Sequence, residues 1–595
     1  MASLRTMAAS AALAGALAVP GMAAGQSQHN GAPTREDITR ENAARPADRA
    51  PTRVTVEGDV EHAPCPLADP RYAQVMVTLD RVEFSGLEVV PAAALDSAWR
   101  GDVGAAVPVA RLCEIRDRAA TILRGLGYLA AVQIPPQRID KGGTVHMDVL
   151  MARLTKVQVR GDPGNSSAII ERILRGVAGE GPFNTHEAER RLLLARDLPG
   201  FDIRLVLRPA TDTPGAITAD AIVVRQPIVA DINIQNLGST AVGRYAGLAR
   251  VQLNGLYGHG DATVISLFNT SDIHEQTVVG LDHSLALGGN GLRLSGNVAY
   301  AWSHPSLGAT SPIRSLTLIA GVRLDYPLRL SQASRIDAGI GAELIDQRVR
   351  FGALPLSTDK ERSIAGYLSG DFRDPASIAG AGGYTIDEPR WRLTGAIELR
   401  QGVSVLGASK ACGTGLVNCL PPNVPLTRLA ADPRPTIVRF QGSGEFRPAP
   451  KIAIVTSTRA QYSRQVLVSY EEIGAGNYTI GRGYDPGTLL GDSGVGISAE
   501  LRLLSGVAHA RRAFIFQPYG FYDGAWSWQN DTAPGAVQPQ YLASVGGGVR
   551  GAWRNHARFD LSIAVPLERP PLATRTPPAR FLFSITTRLF PWSAR

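Results

Sequence analysis

The sequence predicts a transmembrane β-barrel of about sixteen antiparallel strands, preceded by two α+β repeats and a short N-terminal helix on a linker. Three observations carry this. A secretory leader is followed by no later apolar run long enough for a spanning helix, one order of strands and helices occurs twice between residues 73 and 227, and alternating segments punctuated by turn residues fill the chain from 228 onward.

The leader begins Met1-Ala2-Ser3-Leu4-Arg5, continues as a small-residue apolar run from Met7 to Pro20, and ends in Gly21-Met22-Ala23-Ala24-Gly25. A basic start, an apolar centre and small residues at the exit are the pattern of a signal peptide, here 1–24, with cleavage between Ala23 and Gly25. Its apolar run of about 14 residues falls short of the roughly 18 to 20 that a helix needs to cross a bilayer. A mature chain without such a helix crosses a membrane only as a closed barrel, because lipid leaves no backbone group unpaired.

Residues 25–72 are polar and interrupted by Pro33, Pro46, Pro51, Pro64, Pro66 and Pro70, which reads as a flexible linker. One piece differs. Thr34 precedes Glu36 and Asp37 in a first turn, and Arg45 closes the run before Pro46, so 34–45 is expected to be a short polar helix.

From 73 to 153 the expected order is strand, helix, helix, strand, strand. Val75 to Phe84 alternates, Val109 to Leu126 carries Leu112, Ile115, Ala119, Ile122, Leu123 and Leu126 at helical spacing, and Tyr128 to Ile134 and Thr144 to Ala152 alternate again. The order returns over 154–227 with Val157 to Val159, helices near Ser167 to Arg175 and Thr185 to Arg196, then Asp202 to Leu207 and Ile217 to Val224. The repeat length is about 75 residues.

Strands are expected near residues 229, 243, 261, 276, 291, 313, 335, 362, 389, 434, 450, 494, 512, 540, 556 and 579. The even number is what a single-chain bacterial barrel requires. Alternation alone separates a barrel from a soluble sandwich weakly; strand length, the leader, 63 glycines and the closing strand Phe581 to Phe590 favour the barrel. In that strand Phe581, Phe583, Ile585 and Leu589 share a face for lipid, and Ser584, Thr586 and Arg588 share a face for a wet lumen.

The formal charge of +8 is spread singly along alternating segments, which excludes a nucleic-acid patch and reads as solvated lumen and loop surface. No catalytic residues, metal or cofactor are expected. Gly491-Asp492-Ser493-Gly494 imitates a serine-protease word but has no accompanying histidine motif, and it serves as a turn into a strand. Gly288-Gly289-Asn290-Gly291 and Gly546-Gly547-Gly548 do not lie between a strand and a helix, so they are not phosphate cradles. His259, His274, His283 and His304 lack metal-ligand spacing. Cys65 with Cys113 and Cys412 with Cys419 form two local pairs that a secretory route allows to oxidise, four unpaired thiols being the alternative. The first bridge would contribute on the order of 3 to 4 kcal/mol through chain entropy. The second is expected to close a small exposed loop.

Several stretches resemble one family. Pro64-Cys65-Pro66, Phe84-Ser85-Gly86, Arg124-Gly125-Leu126-Gly127-Tyr128 and Ile134-Pro135-Pro136-Gln137 are similar to the first POTRA domain of the two-partner secretion transporters, or haemolysin secretion/activation proteins, of the POTRA-plus-barrel outer-membrane superfamily. Arg196-Asp197-Leu198-Pro199-Gly200 and Thr213-Pro214-Gly215 resemble the second POTRA domain. Asn236-Leu237-Gly238-Ser239 and Asn254-Gly255-Leu256-Tyr257-Gly258-His259-Gly260-Asp261 resemble the first barrel hairpin. Gly481-Arg482-Gly483-Tyr484 resembles the superfamily's Val-Arg-Gly-aromatic motif with glycine in place of valine, and Phe521-Tyr522-Asp523-Gly524 resembles the barrel motif that receives its arginine.

The resemblance implies POTRA domains at 73–153 and 154–227 in the periplasm and a barrel at 228–595 with an inward-folding loop, 464–493. It implies that Arg482, Gly483 and Tyr484 fasten this loop to Asp523. Alternation places Asp523 on a face with Gln517, Tyr519 and Ser527, and makes the lumen-facing Glu500 a second carboxylate partner. A sixteen-stranded barrel is too wide for its side chains to fill, so the helix 34–45 and this loop are the expected occupants. The implied partners are a secreted exoprotein with an N-terminal secretion domain, outer-membrane lipids and the barrel-assembly machinery for insertion, with transport needing no nucleotide. The rivals are an insertase of the same superfamily and, from another class, a passive porin, which would need neither repeat nor loop.

Overall fold

The computed structural model describes residues 34–38, 54–56, 65–140, 143–177, 181–210, 213, 215–305, 313–506, 514–531, 538–554, 556–571 and 573–591. The expected leader 1–24, the latter part of the expected helix, 39–45, and most of the expected linker lie outside them. The described part of that helix is α1 (Arg35–Ile38).

The first repeat is β2 (Met76–Ser85), β3 (Ala106–Pro108), α2 (Arg111–Gly125), β4 (Ala130–Gln133) and β5 (Gly143–Met151), in sheet order β3-β2-β5-β4. Helix α2 buries Leu112, Ile115, Ala119 and Leu123, one stripe at helical spacing, against Leu79, Val82, Val145, Met147 and Val149 of the sheet. Where an α-helix was expected before it, the chain makes a 3-10 segment, Ala92–Ala98, which buries only Leu95 and Ala98. Two small anchors do not define the stripe that stabilises a longer helix.

The second repeat is β6 (Arg153–Gly161), α3 (Ser167–Arg175), α4 (Thr185–Arg196), β7 (Phe201–Pro209) and β8 (Ala216–Arg225). Ile170 and Ile173 of α3 and Leu192 and Ala195 of α4 pack with Leu154, Leu205, Ile217 and Ala219 of the sheet. The edge of this sheet corrects the linker reading. Val54–Val56, β1, adds parallel to β7, with Val54 opposite Leu205 and Val56 opposite Leu207. An edge strand presents unpaired backbone groups, and a Val-Thr-Val segment has the stiffness to use them.

The barrel follows. Its first half is β9 (Ile228–Gln235), β10 (Ala246–Asn254), β11 (Ala262–Thr270), β12 (Gln276–Ala286), β13 (Arg293–Ser303), β14 (Ile313–Leu330), β15 (Ser334–Phe351) and β16 (Leu354–Arg373). The second half is β17 (Trp391–Gly402), β18 (Thr436–Ala449), β19 (Ile452–Ser463), β22 (Ser493–Leu503), β23 (Phe514–Trp528), β24 (Gln540–Trp553), β25 (Ala557–Pro566) and β26 (Arg580–Phe590). Each pairs antiparallel with the next and β26 closes on β9, Ser584 opposite Gln235, so sixteen strands form the closed ring among the described residues. Ile340, Ile364, Leu399, Ile563 and Phe581 point outward, while Asn233, Gln235, Glu361 and Arg400 are buried inside. This is the apolar-out, polar-in alternation of a membrane barrel.

One rim is held against the second repeat. Glu189 accepts from the Gln332 amide at 2.8 Å, and Asp197 pairs with Arg335 at 2.6 Å. Alternating strand direction then puts segments 403–435, 464–492 and 529–539 at the far rim. Within 464–492 a hairpin not foreseen from sequence forms, β20 (Ile473–Ala475) with β21 (Leu489–Gly491). Gly491 permits it: a Cβ there would stand 2.7 Å from the Ser527 Cβ.

Candidate functional site: the occupied lumen

The loop between β19 and β22 turns inward and is fastened at its tip. Ser498 pairs with Asp523 and Glu500 with Phe521 across β22 and β23, so alternation aims all four side chains into the lumen at one height. Arg482 enters that set. Its Nε and Nη2 donate to the Asp523 carboxylate at 2.9 and 2.7 Å, its backbone amide to the same group at 3.0 Å, and Nη1 to Glu500 at 2.7 Å. Nη2 also donates to Ser498 at 2.9 Å, and the guanidinium lies 3.6 Å from the centre of the Phe521 ring. Buried Asp523 is thus gripped by a charge-assisted fork, and the cation rests on an aromatic face.

The next residues extend the hold. Gly483 has φ +100°, and a Cβ there would come within 3.3 Å of Pro566. The Tyr484 hydroxyl lies 2.7 Å from the Ala543 carbonyl and accepts from the Glu568 amide at 2.9 Å. Asp485 accepts from Thr240 at 2.8 Å and pairs with Arg580 at 2.6 Å. The tip therefore touches the wall from β22 to the turn beyond β9, across the seam where the ring closes.

The lumen beside the loop holds α1. Arg35 pairs with Glu343 of β15 at 3.1 Å and with Glu471 of the loop at 3.0 Å, its guanidinium 4.9 Å from the Tyr470 ring centre. Glu36 pairs with Arg459 of β19 at 2.7 Å. Ile38 packs among Ala246, Phe268, Val278, Ala301, Ile319, Ile345 and Tyr470. Glu471 is the centre of the charge network, since Arg400 reaches it at 3.3 Å and Arg439 bonds it as well. Burial pushes the Glu471 carboxyl up, and the Arg35, Arg439 and Arg400 guanidiniums overcome that, holding it well below the usual carboxylate range. A cavity of about 450 Å³ lined by Arg35, Asp282, Arg323, Tyr367 and Arg459 remains beside the helix.

One sequence expectation is corrected here. The lumen charge is not simply solvated: Arg400, 3% exposed in its side chain, bridges Glu343, Glu398 and Glu471. Around Arg400, chain from the far rim folds inward and excludes the water that a local reading assumes. The second disulfide closes an exposed loop, as expected: Gly413, Thr414, Gly415, Val417 and Asn418 are open to solvent, while Cys412 and Cys419 at its base are buried with Leu426, Ala431 and Val468. The other bridge joins Cys65 to Cys113 of α2, Cα atoms 6.0 Å apart.

Sequence reasoning missed Glu343, Arg400, Arg439, Arg459, Glu471 and Tyr470. Inward alternation marks the strand residues among them as lumen-facing, but nothing in sequence says which meets the helix. Among the described residues no group of His, Cys, Asp and Glu is placed to hold a metal.

Residues 385–551 match the family model of the haemolysin secretion/activation proteins ShlB/FhaC/HecB. The resemblance read from sequence therefore stands, in the stretch that carries Arg482 and Asp523. Among solved structures the chain is similar to CdiB from Escherichia coli, at TM-score 0.66 and 16% identity, covering 92% of this chain and 94% of that one. CdiB from Acinetobacter baumannii follows at TM-score 0.59 and 16% identity, covering 90% and 94%. BamA from Haemophilus ducreyi lacking POTRA domains 1-3 is similar at TM-score 0.51 and 14% identity, covering 86% and 100%. At these identities the likeness is one of fold. No curated protein matches the chain.

Proposed function

We propose that this chain secretes a large partner exoprotein of the haemolysin or adhesin type across the outer membrane, receiving it on the POTRA domains in the periplasm and passing it outward through the barrel. The observation that carries the reading is the occupied lumen, filled by the chain's own α1 and inward loop and held through ion pairs rather than by a packed apolar domain. Such contacts have a low net stability, because desolvation offsets much of their Coulomb energy, so the occupant can leave without nucleotide hydrolysis. A passive porin has no use for this filling. An extended cargo segment would take the place of β1 on β7, an edge that accepts a strand through backbone bonds.

The test is co-expression in a Gram-negative host with a large exoprotein that carries an N-terminal secretion domain. The expected result is that exoprotein in the medium only when the transporter is present. If it stays in the periplasm while other barrels insert faster, the insertase reading replaces this one. The barrel should also migrate faster on unboiled gels, since a closed ladder has no edge at which to unravel.

A further inference from the structure

Three loops of the outer rim meet at one side chain. Arg428, in segment 403–435, pairs with Asp492 at 2.6 Å, Asp531 at 2.5 Å and Glu472 at 3.3 Å, and it donates to the Gln529 side chain at 2.8 Å and the Leu467 carbonyl at 2.9 Å. Its side chain is 10% exposed, and that of Asp492 is fully buried. Asp492, read from sequence as a turn residue, also accepts the amides of Leu467 and Asn530, both at 2.7 Å. It thus gathers both roots of the inward loop and the start of segment 529–539.

The neighbouring residue anchors the opposite side. Thr427 donates through its amide and hydroxyl, at 3.0 and 2.6 Å, to Asp359, buried on β16. Consecutive residues therefore hold β16 on one side and the heads of β22 and β23 on the other, so segment 403–435 lies as a chord over this sector of the outer mouth. The Cys412–Cys419 bridge stiffens the chord, packed on Val468 of the loop root.

The chord connects to the lumen through two adjacent carboxylates. Glu471 holds Arg35 of α1 on the lumen side, while Glu472 meets Arg428 and accepts from Gln529 at 2.9 Å. We propose that Arg428 is a positioning residue that couples an outer lid to the inner plug. With Arg428 in place, the lid holds Glu472 and keeps Glu471 within reach of Arg35; release at either end loosens the other. The inference rests on the reading above that α1 plugs the pore, and it adds what sets how firmly the plug sits.

Planar-bilayer recording of the full-length protein tests this with Arg428→Ala, Glu472→Gln, Arg428→Lys and a deletion of 34–45, alone and combined. Folding of each variant is checked by its mobility on unboiled gels. Arg428→Ala is expected to raise open probability about five-fold or more, the scale of a coupling between two sites. Glu472→Gln should do so to a lesser degree, and Arg428→Lys should restore part of the closed state. In the deletion background Arg428→Ala should add no further openings. Equal effects with and without the helix would overturn the coupling, because the lid would then gate alone. No change on Arg428→Ala in a well-inserted protein, with a clear rise on deletion, would overturn the coupling and leave the plug standing. Unchanged conductance on deletion would remove the plug and this proposal together.

Discussion

Arg482 and Arg428 do the same chemical job at two depths of the barrel: each gathers two or more carboxylates and fixes a loop. Their supports differ. Asp523 and Glu500 sit on adjacent strands in a register set by backbone pairing, so the receiving site exists before the loop arrives. Asp492, Asp531 and Glu472 sit at loop roots and come together only when three segments have folded over the rim. The inner hold is preorganised by the sheet and the outer one is assembled by the loops it joins, which suits the first to permanent fastening and the second to opening.

Mutations sharpen this contrast. The largest effect is expected from Arg482→Ala, which should leave the barrel inserted but abolish most secretion of the partner exoprotein. Asp523→Ala should cost somewhat less, because Glu500 still holds Nη1, and the double variant should be little worse than Arg482→Ala, the non-additivity of contacting groups. Normal secretion from a well-inserted Arg482→Ala protein would break the comparison at its stronger end. Exchanging the charges, Arg482→Asp with Asp523→Arg, should rescue only in part, since Arg502 and Arg550 already surround Glu500 and would repel the new arginine.

Deleting 34–45 should come next, raising single-channel conductance severalfold. Glu343→Gln should follow with a smaller rise in open probability, because Glu471 still pairs with Arg35. A Glu343→Gln pore as open as the deletion would mean that the plug hangs on the wall rather than on the loop. The smallest effect is expected from Cys412→Ser with Cys419→Ser, whose short ring is worth about 2 kcal/mol in chain entropy. Limited proteolysis within 403–435 should become faster while the barrel keeps its mobility on unboiled gels. Loss of the barrel itself would show the bridge to be structural for the whole rim.

How far each feature was legible follows from the range over which a physical signal acts. Alternation is local and repeats every two residues, so the phase of Phe581 to Phe590, the inward aim of Glu500 and Asp523 and the strand starts near 276, 313 and 540 were readable one segment at a time. Helical spacing marked α2, α3 and α4 in the same way, whereas the motif around Arg482 was matched to Asp523 by its resemblance to the superfamily's motif pair, alternation adding only the inward aim of the receiver. Tertiary structure alone decided which inward arginine meets α1, that Val54–Val56 closes the edge of β7, that Cys412 and Cys419 are buried, and that Asp492 is a junction rather than a turn residue. These depend on the paths of loops and of the N-terminal segment, where no period constrains direction and partners hundreds of residues apart meet only after the ring has closed.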